Sequence, residues 1–192
     1  MRALTFDIET KLVPFTRGRL DPDTLELTVV GVHDSETNEY RAYTKEELPA
    51  LWSVIERTNL LIGFNSDAFD IPILNRYYPG DLSRIRSLDL LSEVYKALGR
   101  RLRLDTLAKA TLGRGKIGDG QKAGAWWDQG LYDKVKEYCL EDVRLTRELY
   151  DYARAHGHVK YKDLSEVRDI KLDTSGWERA SAASPLTHTL PF

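Results

Sequence analysis

The segment Ala3-Leu4-Thr5-Phe6-Asp7-Ile8-Glu9-Thr10 opens with the alternation of a strand and closes with two acids. From Arg2 to Asp7 the pattern alternates around Ala3, Leu4 and Phe6, the period of a buried β-strand. Asp7 and Glu9 then follow at i, i+2. Side chains alternate across a strand, so both carboxylates face one side, about 7 Å apart along the chain. Read alone, the pair fits a solvated strand end as well as a pair of metal ligands.

Outward from this strand, residues 11–23 hold Pro14, Gly18, Pro22 and two aspartates and read as a loop. Leu25 to His33 is rich in β-branched residues, and Tyr40 to Tyr43 pairs with it as a hairpin through residues 35–38. Lys45 to Arg57 has a helical period at Leu48, Leu51, Trp52 and Ile55. Leu60 to Phe64 is a short apolar run, a buried strand. Asp67 to Tyr77 reads as a helix weakened by Pro72, and Ile85 to Leu88 as a fifth strand. Leu90 to Leu98 and Leu104 to Leu112 are amphipathic helices. Gly113 to Gly130 reads as a glycine-rich loop ahead of the longest helix, Leu131 to His156. Val159 to Lys162 and Val167 to Leu172 form a terminal hairpin, and residues 174–192 read as poorly ordered. The order predicts an α/β fold with a mixed central sheet flanked by helices. Its body spans 1–157, with the hairpin and tail in 158–192.

Two further segments carry acids. Asn65-Ser66-Asp67-Ala68-Phe69-Asp70 follows the Leu60–Phe64 strand. Asn65 or Ser66 can cap the next helix, and Asp67 and Asp70 can serve its dipole. Asp70 also lies beyond a strand's carboxyl end, where open α/β sheets place their sites. On the long helix, Tyr138 and Asp142 are i, i+4 and share a face that Leu145 and Leu149 continue inward. An inward aspartate is costly unless it is paired or binds a metal. Asp7, Glu9, Asp70 and Asp142 together offer four hard oxygen donors and no thiol, which suits magnesium or manganese. Without metal the four would repel and raise each other's pKa. Tyr138 beside them suits handling a proton or positioning water.

These motifs resemble the DEDD group of 3′–5′ exonucleases, tyrosine subclass, within the ribonuclease H-like fold. The first motif, Asp-x-Glu, is matched by Asp7 and Glu9. The second, Asn-x-x-x-(Phe/Tyr)-Asp, is matched by Asn65, Phe69 and Asp70. The third, Tyr-x-x-x-Asp, is matched by Tyr138 and Asp142. Leu112-Gly113 with Lys116 resembles the exonuclease domain of family-B DNA polymerases and its stand-alone relatives. The resemblance implies a ribonuclease H-like fold and a two-metal phosphodiester hydrolase acting on single-stranded 3′ ends, with DNA favoured over RNA. It implies that Asp7 bridges two Mg²⁺ or Mn²⁺ ions. Glu9 and Asp142 would complete one metal site, and Asp70 would hold the other ion. Tyr138 would orient the attacking water. Thr10 and Leu12 would lie beside the terminal nucleotide, with Asn65 and Phe69 shaping its pocket and Lys116 among the substrate-binding residues. A structure-selective endonuclease and a non-catalytic nucleic-acid-binding module are the competing readings.

Composition bounds the rest. The 192 residues are 42% hydrophobic and 30% charged, with a net charge of −2, which excludes wholesale disorder and a generally basic surface. Locally, residues 96–122 hold eight cations (Lys96, Arg100, Arg101, Arg103, Lys109, Arg114, Lys116 and Lys122) against Asp105 and Asp119. That excess, with five glycines and the Trp126-Trp127 pair, fits either a solvated helix face or a rim that tracks phosphates. Gly113-x-Gly115-x-x-Gly118 matches a dinucleotide fingerprint, but no strand precedes it. The single cysteine, Cys139, excludes a disulfide framework and suits a reducing, cytoplasmic setting. Its surroundings read as those of a buried hydrophobe. No apolar run approaches the roughly 20 residues of a membrane span. Asp89 reads as a helix cap. A protein partner is compatible with the chain but has no motif.

Overall fold

A computed structural model describes residues 1–12, 24–116 and 121–179. Five strands form one sheet: β1 (Ala3–Leu12), β2 (Leu25–Asp34), β3 (Glu39–Thr44), β4 (Leu60–Gly63) and β5 (Arg86–Asp89), in the order β3-β2-β1-β4-β5. β1 pairs antiparallel with β2 and β2 with β3, while β4 runs parallel to β1 and β5 parallel to β4. The mixed α/β sheet expected from the sequence is therefore present. The helices are α1 (Leu48–Ile55), α2 (Asp70–Asn75), α3 (Leu90–Leu98), α4 (Leu104–Leu112), α5 (Gln121–Asp128) and α6 (Tyr132–His156). A two-stranded hairpin, β6 (His158–Asp163) and β7 (Glu166–Lys171), ends the ordered sequence of elements.

The alternation of β1 assigns its two faces. Leu4, Phe6 and Ile8 pack with Leu48, Leu51 and Ile73 of α1 and α2. Ala3 joins Leu60, Ile62, Leu107, Leu145 and Leu149 in the core beneath α3, α4 and α6. Each fully buried leucine contributes roughly 1.5–3 kcal/mol of transfer free energy, so the two cores together fix both layers of helices on the sheet. Asp7 and Glu9 lie on the same face as Ala3, toward α6. A bulge between Glu9 and Thr10 shifts the β1–β2 register there.

Several boundaries differ from the sequence reading. The residue 113–130 segment is not all loop, because α5 forms within it. Gly120 and Gly118 lie outside the described residues. Ala123 is buried and Trp126 and Trp127 pack beside it against Val29, Val135 and Tyr138, so tertiary burial overrides the glycine content. α2 begins at Asp70 rather than Asp67, since residues 66–69 turn before it. Leu131 precedes α6 and is exposed. Poor order from residue 174 also needs correction as far as Arg179. Trp177 is 3% exposed, stacks on Tyr150 at 5.6 Å and donates to Glu93 Oε2 at 3.2 Å. Arg86 donates to the carbonyls of Gly176 (2.6 Å) and Arg179, tying this segment to β5. The 13–23 loop, with Arg17, Arg19 and the Asp21/Asp23 pair, lies outside the described residues, as do residues 180–192.

Candidate functional site

The site forms where β1 and β4 part. β4 pairs with β1 only from Ala3 to Thr5, so β1 runs on past the end of β4 with one edge open. The Ile8 N–H on that edge donates to Asp70 Oδ1 at 3.2 Å. Asp70, the first residue of α2, is thereby drawn to Asp7 and Glu9. From the other side α6 delivers Tyr138 and Asp142, one turn apart. Gly31 lets α6 come this close. It faces Asp7 across the β1–β2 ladder, and a Cβ there would lie 2.9 Å from Cys139 Sγ and 3.1 Å from Val143. Asp7, Glu9, Asp70, Tyr138 and Asp142 thus come from three elements.

Asp7, Glu9, Asp70, Tyr138 and Asp142 line one cleft of about 190 Å³ with Ile8, Phe64, Asn65, Phe69 and Lys116. Carboxylate oxygens of Asp7 and Glu9 and the sulfur of Cys139 lie within 4.8 Å of one another. Burial, then Asp142, Asp70 and Glu9, hold the Asp7 carboxyl well above the usual range. Burial, then Asp142, pushes Glu9 up to about 8. Burial pushes Asp70 up to about 7, against the bond from Ile8. Burial raises Asp142 too, against the attraction of Lys116. Cys139 is buried, and burial followed by Asp7 and Glu9 pushes its thiol well up. It therefore stays protonated and donates to the Asp7 carbonyl at 3.4 Å, which leaves the donor set all oxygen.

Lys116 opposes this charge. Its ammonium pairs with Asp142 Oδ2 and sits 5.8 Å from the Tyr138 ring centre. Burial works against that ammonium, but Asp142 and Asp7 outweigh it and hold the pKa above the ordinary lysine value. Asp105 of α4 fixes the Lys116 backbone, accepting from its N–H at 3.0 Å. Gly115 makes room for this: a Cβ there would fall 2.3 Å from Asp105 Oδ1. Among the described residues, Tyr138 Oη and Asp142 Oδ1 are buried without a hydrogen-bond partner. Hard oxygen donors crowded against each other, two polar atoms unsatisfied, and one lysine for four carboxylates are a set that fits divalent cations of the magnesium type.

Asn65, Phe69 and Lys116 lie in the cleft wall with the acids. Thr10 and Leu12 lie past the bulge and are not among the described lining residues. Leu12 is 59% exposed. Asp89 caps α3 through Leu91 N–H at 2.9 Å and also accepts from the Asn65 N–H at 2.7 Å, so it holds the second motif in place. The roles of Gly31, Gly115 and Asp105 escaped sequence reading, whereas Cys139 is the buried residue expected. Only Gly31 left a trace, as the one glycine interrupting Val29-Val30-x-Val32.

The basic run is less positive than its sequence. Lys96 pairs with Glu93 (2.6 Å), Arg100 with Asp163 (3.5 Å), Lys109 with Asp105 (2.7 Å) and Arg114 with Glu141 and Glu148. Glu93 and Asp105 are helical neighbours of the lysines they pair with, whereas Asp163, Glu141 and Glu148 come from elements remote in sequence, which a local charge count does not include. The side chain of Lys122 lies outside the described residues.

Residues 4–154 match the family model of the RNase_H superfamily, and the chain belongs to that family. It is 28% identical to DNA polymerase 1 of Aeropyrum pernix over an alignment that covers 73% of the chain and 16% of that polymerase. Its fold matches the family B DNA polymerase of the archaeon Pyrobaculum calidifontis with a TM-score of 0.62 at 20% identity. That match covers 80% of the chain and 24% of the polymerase. The chain thus spans a small part of each relative's length. The ribonuclease H-like fold expected from the three motifs is the fold observed, in a nuclease-like family. No helix among the described residues is long and apolar enough to cross a membrane.

Proposed function

We propose that the chain is a metal-dependent 3′–5′ exonuclease acting on single-stranded nucleic acid, DNA in preference to RNA. One observation carries this reading: Asp7, Glu9, Asp70 and Asp142 share a single cleft with one opposing lysine. Membership in the RNase_H superfamily and similarity to DNA polymerases support it. Two Mg²⁺ or Mn²⁺ ions, when bound, would offset the carboxylates, polarise a phosphate and activate water. Asp7, Glu9, Asp70 and Asp142 are assigned to hold them. Catalysis is assigned to residues 1–157, against which Val159, Tyr161, Ile170, Leu172 and Trp177 pack.

The chain's own groups then divide the remaining work. Burial, followed by Asp142, pushes the Tyr138 hydroxyl up to about 12, so it stays protonated at neutral pH. It therefore donates a hydrogen bond that orients the attacking water, and does not take the proton. Asn65 and Phe69 shape the pocket of the terminal nucleotide, with Thr10 and Leu12 on its flank. Lys116 keeps one charge of the cluster neutralised.

A gel time course on 5′-labelled single-stranded DNA and RNA tests the reading, run with Mg²⁺, Mn²⁺ or EDTA beside Asp7→Ala. The expected result is a metal-dependent ladder shortening from the 3′ end and absent in the variant. Cutting of a circular single strand would make the protein an endonuclease. Binding without cleavage in any metal would make it a non-catalytic nucleic-acid-binding module.

A further inference from the structure

We infer that Arg101 is a phosphate-binding residue at the mouth of the cleft, holding the backbone of the strand whose end lies among the carboxylates. The inference rests on the exonuclease reading and assigns it a contact outside the acidic centre. Arg101 lies between α3 and α4, is exposed, and donates from Nη2 to Asn65 Oδ1. Asn65 lines the cleft and has a φ of 66°, an uncommon backbone conformation for a residue other than glycine. Its backbone N–H is held by Asp89, so the carboxamide is a fixed anchor for the guanidinium.

Charge accounting singles out this residue. The cleft itself is acidic and repels a phosphate chain, so a strand entering it needs positive charge beside the opening. Lys96, Arg100, Lys109, Arg114 and Lys116 already face carboxylates. Arg101 meets a neutral amide, which leaves its charge uncompensated among the described residues. Asn65 engages one of the five N–H donors of a guanidinium, and the rest keep the planar fork that matches phosphate oxygens. No hydrogen bond or ion pair joins Arg103 to a cleft-lining residue among those described.

Salt dependence tests this with a readout that a merely structural role would not move. Anisotropy of a 5′-fluorescein single-stranded DNA oligonucleotide would be titrated with Asp7→Asn protein in Mg²⁺ across a range of KCl concentrations. Adding Arg101→Gln should reduce the slope of log affinity against log salt by about 0.7, the value of one phosphate contact on a single strand. Arg57→Gln, which removes the same charge near the opposite end of β4, should leave the slope alone. On the active protein, Arg101→Gln should raise KM roughly tenfold with kcat nearly unchanged, as for one charge-assisted hydrogen bond, and Arg101→Lys should recover part of it. An unchanged slope, or a fall in kcat alone, overturns the assignment of Arg101 and leaves the exonuclease reading standing. Absence of binding by the Asp7→Asn protein at the lowest salt overturns both.

Discussion

Asp7 sits among three other acids that face one lysine. Removing its carboxylate takes repulsion away from Glu9, Asp70 and Asp142, so Asp7→Ala should abolish turnover and leave the fold intact. In EDTA its thermal midpoint should equal or exceed that of the wild type, and added Mg²⁺ should stabilise it far less. A midpoint several degrees lower would show that Asp7 has a structural role instead. Tyr138→Phe should slow cleavage about 10–10³-fold, in the range of acid–base and water-orienting effects. Stabilisation by Mg²⁺ should be unchanged, because the hydroxyl is not assigned as a ligand. Equal rates would remove Tyr138 from the chemistry. The acids and Tyr138 were legible in the sequence as three short motifs, and all five line one cleft. Lys116 was legible as a cation of the basic run and, through the family resemblance, as a substrate-binding residue; that it faces Asp142 follows from where Asp105 pins its backbone.

At the scale of elements, α6 against β2 decides whether the site exists at all. Gly31→Ala places a methyl group 2.9 Å from Cys139 Sγ, and overpacking of this kind costs about 1–3 kcal/mol. The variant should unfold at lower urea concentration and lose activity, since α6 carries both Tyr138 and Asp142. Adding Cys139→Ala should recover part of both losses. Independent, additive effects in that double-mutant cycle would show that the two residues do not meet. α3 and α4 were readable end to end from their apolar period. α5 was not, since Gly124 within it weakens its local preference and its packing against α6 is what stabilises it.

For the whole molecule, the raised carboxyl groups couple stability to pH. Glu9 at about 8 and Asp70 at about 7 lie above their unfolded values near 4, so the metal-free folded state binds more protons across that interval. Their stabilising contribution is complete below about pH 4 and is lost as pH rises through 7 and 8. Urea unfolding in EDTA should therefore show falling stability from pH 5.5 to 8.5, and Mg²⁺ should stabilise most at the alkaline end. A flat profile would mean that the four acids are not strongly coupled. Trp177 joins the tail to the body. Trp177→Ala should cost about 3 kcal/mol, the lower end for a buried tryptophan, with the same gain on adding Mg²⁺ as in the wild type. An unchanged midpoint would show that residues 174–179 do not support the core.

The alternation of β1, the sheet-and-helix order, the family resemblance and the five chemical groups of the candidate site are all readable from the linear chain. Those are properties of residue type and short-range period, which a single chain displays directly. The folded chain alone reveals that Gly31 admits α6, that Lys116 faces Asp142, and that Arg100 and Arg114 meet acids of other elements while Arg101 does not. It also decided that Trp177 belongs to the core. Each is a contact between segments distant along the chain, set by packing and charge pairing in three dimensions, and no local pattern records which partner a side chain meets.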